Sequence, residues 1–150
     1  MIVYMDVCCL NRPFDDQSQE RIKLESEAVL IILDFCQTGK WRLLNSEVID
    51  FEVLSIVDMY RQSKIITILS ISDLNLKVKI DRKTINRAKE ITKIGFKPFD
   101  AMHIACTESA NADIFLTTDD KLLKNAHKNI KMLNVKIDNP VLWLMEAKIK

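Results

Sequence analysis

The sequence predicts an α/β fold, a single domain with a mostly parallel central sheet between helical layers. Short runs of branched and aromatic residues without polar alternation recur along the chain, the pattern of strands buried on both faces. Longer stretches with helical apolar spacing lie between them, so strands and helices alternate. A length of 150 residues, 48% hydrophobic and 29% charged, suits one domain with a substantial core.

Ile2 to Asp6 reads as the first buried strand. Asn11 to Gln19, with Pro13 and a pair of aspartates, reads as a loop. A helix is expected from Ser18 to Thr38, with Ile22, Val29, Ile32, Leu33 and Cys36 on one face and Gly39 just past its end. Trp41 to Leu44 suits a second strand. Ser46 then caps a helix expected to reach Tyr60. Ile65 to Ile71 continues as helix, and Leu76 to Ile80 alternates like a short strand. Asp81 to Ile94 is a basic amphipathic helix closed by Gly95. Pro98 to Ala110 is the next helix, and Ala112 to Thr117 is a buried strand. Asp119 to Lys128 is helical, Met132 to Ile137 a strand, and Pro140 to Lys148 a last helix opening on proline.

Several functions drop out on composition. The formal net charge of +1 lacks the basic excess of a nonspecific nucleic-acid binder. The Lys77–Lys97 basic stretch reads as a solvated face. Only Gly39 and Gly95 are glycines, so phosphate-cradling glycine loops are absent. The opening apolar run is too short for a signal-peptide core and no run reaches membrane-spanning length, which points to a cytoplasmic protein. The four cysteines, Cys8, Cys9, Cys36 and Cys106, form no C-x-x-C and are expected to be free thiols. With His103 and His127 they offer no recognised zinc spacing. The aromatic residues read as packing, and His103 as a hydrogen-bonded structural residue.

Parallel α/β sheets place function outside the carboxyl ends of their strands. Asp6 closes the first strand, and Asp119, with Asp120 beside it, follows the strand ending at Thr117. Asp100 opens the helix before that strand. Glu52 falls inside an expected apolar stripe of Val48, Ile49, Val53, Ile56, Val57 and Tyr60. A carboxylate facing a core needs compensation. Acids aimed at one edge repel each other, and a hard divalent ion, Mg2+ or Mn2+, resolves the conflict with an all-oxygen site suited to phosphodiester chemistry. Each acid also has a structural reading: Asp100 and Asp119 as helix-start residues, Asp6 as a loop acceptor, Glu52 as an ion-pair partner.

The order and spacing of "VYMD", "SEVIDFEV", "PFDAMHIA" and "IFLTTDDKLL" resemble the acidic quartet of the PIN domain family, nucleases that include VapC-type toxins of toxin–antitoxin pairs. The likeness spans nearly the whole chain, and "DVCCLNRPFDD" is similar to the opening of a bacterial subgroup. The resemblance implies a metal-dependent endoribonuclease, with Asp6 and Asp100 as principal metal ligands and Glu52 and Asp119 completing the site. It further implies an RNA substrate, a cognate antitoxin and a homodimer, whose face the helices near Ile22–Cys36 and Ile65–Ile71 would supply. Where many relatives carry Thr or Ser after the first aspartate, this chain has Val7 and Cys8, with Asn11 as a replacement; Arg12 is a further candidate phosphate contact. A catalytically inactive RNA- or protein-binding module is the alternative. Phosphotransfer folds fit poorly, since Asp6-Val7-Cys8 is not Asp-x-Asp.

Overall fold

The computed structural model describes residues 1–149. Its centre is a parallel sheet of four strands in the order β2-β1-β3-β4. Strand β1 (Ile2–Met5) pairs with β2 (Arg42–Leu44) on one side and with β3 (Ile114–Leu116) on the other, and β4 (Ile137–Asp138) completes the far edge. Val3, Tyr4 and Met5 and all of β3 are buried, so the inner strands lack polar alternation because helices cover both faces. The register aligns Met5 with Leu116, which brings the residues that follow β1 and β3 to the same carboxyl edge.

The helices build an α/β/α sandwich: α1 (Val7–Asn11), α2 (Glu20–Gln37), α3 (Glu47–Leu54), α4 (Met59–Leu69), α5 (Arg82–Thr92), α6 (Pro98–Ser109), α7 (Asp120–Lys128) and α8 (Pro140–Ile149). Local chemistry sets most boundaries. Asp81 and Thr84 form a reciprocal capping box at the start of α5. Pro98 opens α6. After α2, Gly39 takes a φ of 83°, a left-handed conformation that reverses the chain toward β2.

Four expectations are corrected. The helix from Ser46 stops at Leu54 instead of Tyr60, because Asp58 accepts hydrogen bonds from the Tyr60 and Arg61 amides and starts α4. The predicted stripe holds for Val48, Ile49 and Val53, which are buried, and ends beyond them: Val57 is 94% and Tyr60 67% exposed. Leu76 to Ile80 forms no strand; Val78 makes a single parallel bridge to Ser46. Residues Ile130–Met132 form a 3-10 turn, and the last strand shortens to Ile137–Asp138 at the sheet edge. The segment after β1 is also more ordered than a loop, with α1 followed by a 3-10 turn at Arg12–Phe14. All four cysteines are free, as expected, but Cys8 and Cys9 sit on a helix, Cys8 exposed and Cys9 buried.

Candidate active site

Asp6 stands where β1 gives way to α1 and caps that helix, accepting from the Cys9 amide at 3.1 Å. Its second carboxylate oxygen accepts from the Thr117 hydroxyl at 2.6 Å. The residue is 5% exposed, and burial lifts its carboxyl from the ordinary 3.8 to about 6, although the Thr117 hydroxyl opposes the rise. Thr117 oxygen also accepts from the Asp119 amide at 3.1 Å. One hydroxyl at the end of β3 therefore ties the first acid to the backbone of the fourth. Sequence reasoning sought that hydroxyl just after Asp6 and missed it 111 residues away.

Asp119 caps α7, with one oxygen accepting from the Lys121 and Leu122 amides at 2.9 and 3.2 Å. Its neighbour Asp120 turns to α2 and forms a bidentate pair with Arg21, both contacts 2.7 Å. Asp120 thus points toward α2, while the charge of Asp119 is felt by the Asp100 carboxyl.

Glu52 comes from the opposite side on α3. It meets His103 Nε2 at 2.6 Å, and His103 Nδ1 meets the Tyr4 hydroxyl at 2.5 Å. Tyr4 reaches Ser46 Oγ at 2.8 Å, which accepts from the Ile49 amide at the start of α3. With the Nε2 proton donated to Glu52, Nδ1 accepts from Tyr4 and Tyr4 from Ser46, so the relay closes with every group satisfied. Burial holds the Tyr4 phenol protonated, its pKa well above 10.0. His103 is thus hydrogen-bonded at both ring nitrogens, as its sequence setting suggested, but one partner is the acid that seemed out of place. Glu52 keeps 28% of its side chain exposed.

Asp100 lies half-buried in the first turn of α6. Burial raises its carboxyl, the charge of Asp119 raises it further, and Lys97 opposes the shift. Among the described residues no side chain hydrogen-bonds or ion-pairs with it. Cys8 registers the gathering of the quartet: after burial, the charges of Asp6, Asp119, Glu52 and Asp100 all push its thiol up, to about 12. The exposed cysteine is a protonated bystander among four acids. Among the described residues no three His, Cys, Asp or Glu side chains converge tightly enough to enclose an ion as they stand.

A cleft of 310 Å³ adjoins Asp119, lined by Cys8, Asn11, Arg12, Asp15, Arg61 and Thr118. Asn11 Oδ1 is buried there with no hydrogen-bond partner. Arg12 is less free than its sequence position suggested, with Nε on Glu25 at 3.0 Å and an Nη on Asp15 at 3.1 Å. Arg61, absent from the sequence-based candidates, binds Asp15 at 2.6 Å from α4. A wider groove of 980 Å³ runs along residues 76–79, α5 and α6, but none of the four acids lines it.

Thr117→Val is expected to move the Asp6 midpoint upward, because the lost hydroxyl favoured the charged form. Stability should fall by about 1 kcal/mol for the missing bond. A 13C titration of the Asp6 carboxyl reads the first and thermal melting the second; an unchanged midpoint would show that the hydroxyl does not tune Asp6.

Comparison with known families matches residues 6–128 to the PIN domain. No curated protein matches the chain. Among solved structures, FitAcB from Neisseria gonorrhoeae is similar with a TM-score of 0.61 and 16% identity, covering 93% of this chain and 98% of that one. VapBC2 from Rickettsia felis, bound to a DNA fragment from its promoter, has a TM-score of 0.55 and 14% identity, covering 93% and 98%. FitAB bound to an IR36 DNA fragment has a TM-score of 0.55 and 16% identity, covering 94% and 96%. At these identities the structures bear on fold, while the domain match runs from the first acid through the whole of α7. The chain belongs to the PIN domain family.

Proposed function

We propose that this protein is a metal-dependent endoribonuclease that hydrolyses RNA phosphodiester bonds with Asp6, Glu52, Asp100 and Asp119 and uses Mg2+ or Mn2+. The carrying observation is crowding of acids without full counter-charge. Asp6 is buried with its carboxyl raised to about 6, and Asp100 is raised in part by Asp119 and Glu52. Oxygen-only donors of this kind fit a hard divalent ion. Asp6 and Asp100 would be the principal ligands, with Glu52 and Asp119 completing the set. When bound, the ion supplies charge neutralisation at the phosphate and a water acidified for attack.

The chain's own residues do the positioning. Thr117 and the Cys9 amide fix the Asp6 carboxylate, and His103 fixes Glu52. The α7 amides hold one oxygen of Asp119. Asn11 and Arg12 line the adjoining cleft, where an amide and a guanidinium are the candidate contacts to substrate. Cleavage of a short RNA should require Mg2+ or Mn2+, stop in chelator and return on re-addition. Asp100→Asn should abolish it with little change in melting temperature, because no side chain leans on that carboxylate. Cleavage unaffected by chelator, or surviving in Asp100→Asn, overturns the reading.

The family resemblance and the similarity to VapBC2 and FitAB support a toxin role with a cognate antitoxin. A neighbouring reading frame whose product suppresses the nuclease on co-expression is the test. A homodimer is supported by the exposed Leu24 and Leu30 of α2 and Ile66 of α4. A monomeric mass by light scattering at micromolar concentration would remove it. No helix among the described residues is long and apolar enough to cross a membrane.

A further inference from the structure

Two phenylalanines stand beside two of the acids in sequence: Phe51 precedes Glu52, and Phe99 precedes Asp100. Their rings stack across the α3–α6 junction, centroids 5.9 Å apart and planes 20° from parallel. Both are nonetheless open to solvent, Phe51 60% and Phe99 50% exposed. This departs from the sequence reading, which assigned the aromatic residues to packing. Tyr4, Trp41, Phe96, Phe115 and Trp143 do pack, each at most 7% exposed.

The location of the pair is fixed by the site. The Glu52–His103 bond clamps α3 to α6, and Phe51 and Phe99 lie one residue from the two acids those helices contribute. Large apolar rings left in water contribute little to folding, so their surface is available to a ligand. Each ring gives at most one face to the other, and the stack can be extended by one more flat ring. Lys97, the residue that precedes α6, lies two positions before Phe99 in the chain. A flat π surface next in the chain to two carboxylates proposed for phosphodiester chemistry matches a nucleotide better than a protein side chain.

We infer that the Phe51–Phe99 pair is a stacking platform for an unpaired nucleobase of the RNA substrate, placing a single-stranded segment against the four acids. This rests on the nuclease reading and adds to it a substrate contact, one that only a base outside a duplex can make because a paired and stacked base has no free face to offer.

The test measures binding, independently of cleavage. In the Asp6→Asn background, which blocks hydrolysis, fluorescence anisotropy follows a labelled single-stranded RNA and a duplex of equal length, both with Mg2+. Phe51→Ala and Phe99→Ala are each expected to weaken single-strand binding by about 5- to 150-fold, the range that base–aromatic stacking carries. Phe51→Leu/Phe99→Leu, which keeps the apolar bulk and guards against misfolding, should lose affinity equally; Phe99→Trp should retain it. Duplex affinity should not follow the substitutions. Leucine variants that bind the single strand as tightly as the parent, or a parent that binds no RNA, overturn the platform. So does leucine restoring what alanine loses, which would assign the patch to an apolar protein partner. Failure of the nuclease reading shows separately, as absence of cleavage by the protein with all four acids intact.

Discussion

Asp6→Asn is expected to abolish RNA cleavage while raising the melting temperature of the metal-free protein. The two effects share one cause. The Asp6 carboxyl is buried and lifted to about 6 from 3.8, so its charged form is costly in the folded state. An acid with a raised folded value carries its full penalty above about pH 6. The penalty is relieved as pH falls from 6 toward 3.8, where the carboxyl is protonated folded and unfolded alike. A shift of this size corresponds to roughly 3 kcal/mol, an upper bound because one hydrogen bond must be remade. The asparagine can still accept from the Cys9 amide, and its NH2 group can donate to Thr117 oxygen, reversing that bond. A gain of about 1–3 kcal/mol at pH 8 is expected, each kcal/mol worth about 2–4 °C for a chain of this size, and it should vanish near pH 4.

Mn2+ should reverse the order. On the proposed reading the ion would bind the folded parent and stabilise it by mass action, but would gain little from the asparagine variant. Cleavage should fall by roughly a thousandfold or more, since the several kcal/mol that a divalent ion contributes to phosphodiester hydrolysis is lost. Melting curves at pH 5 and 8, with and without Mn2+, beside a cleavage assay, check all of this. Retained cleavage removes Asp6 from the chemistry. A lower melting temperature at every pH shows that its charge stabilises the fold. An acid that costs stability when metal-free and is indispensable when loaded is the expected signature of a functional carboxylate.

The parts of the fold written locally were legible in the sequence. "IVYM" and "IFL" are buried strands because both faces are covered, which removes alternation, and the acids after them fall at the carboxyl edge by topology alone. The α3–α4 break was not legible, because Val57 and Tyr60 continue the helical apolar pattern of Val48, Ile49 and Val53 although both are exposed. Only the Asp58 cap marks the restart, and a cap signal competes poorly with periodicity. Long-range pairings were hidden for a different reason: Glu52 meets His103 across 51 positions, and Thr117 meets Asp6 across 111. Nothing in either neighbourhood names the other. The phenylalanines show the same limit, since "DFE" and "PFD" look like packing until the two helices are brought together.

Arg12→Ala tests whether the residue after Asn11 serves the substrate or the fold, and the expected result is a loss of about 3 kcal/mol in stability. Glu25 is 2% exposed and receives Arg12 Nε at 3.0 Å, Arg21 Nε at 3.4 Å and Asn139 Nδ2 at 2.6 Å. This cluster joins the 3-10 turn after α1, the first turns of α2 and the residue before α8. Removing Arg12 leaves a buried carboxylate with one weaker cation and an amide, and an uncompensated buried charge is far more costly than an absent pair. Arg12→Met/Glu25→Leu, which deletes both charges at similar volume, should therefore recover most of the loss. The double variant also separates the two roles of Arg12. With the fold restored, RNA affinity equal to that of the parent makes Arg12 a structural anchor. Weakened affinity at restored stability makes it a phosphate contact as well, reaching the cleft it shares with Arg61 and Asp119. A double variant as unstable as Arg12→Ala would show that the cluster stabilises through Arg12 packing, not through neutralising Glu25.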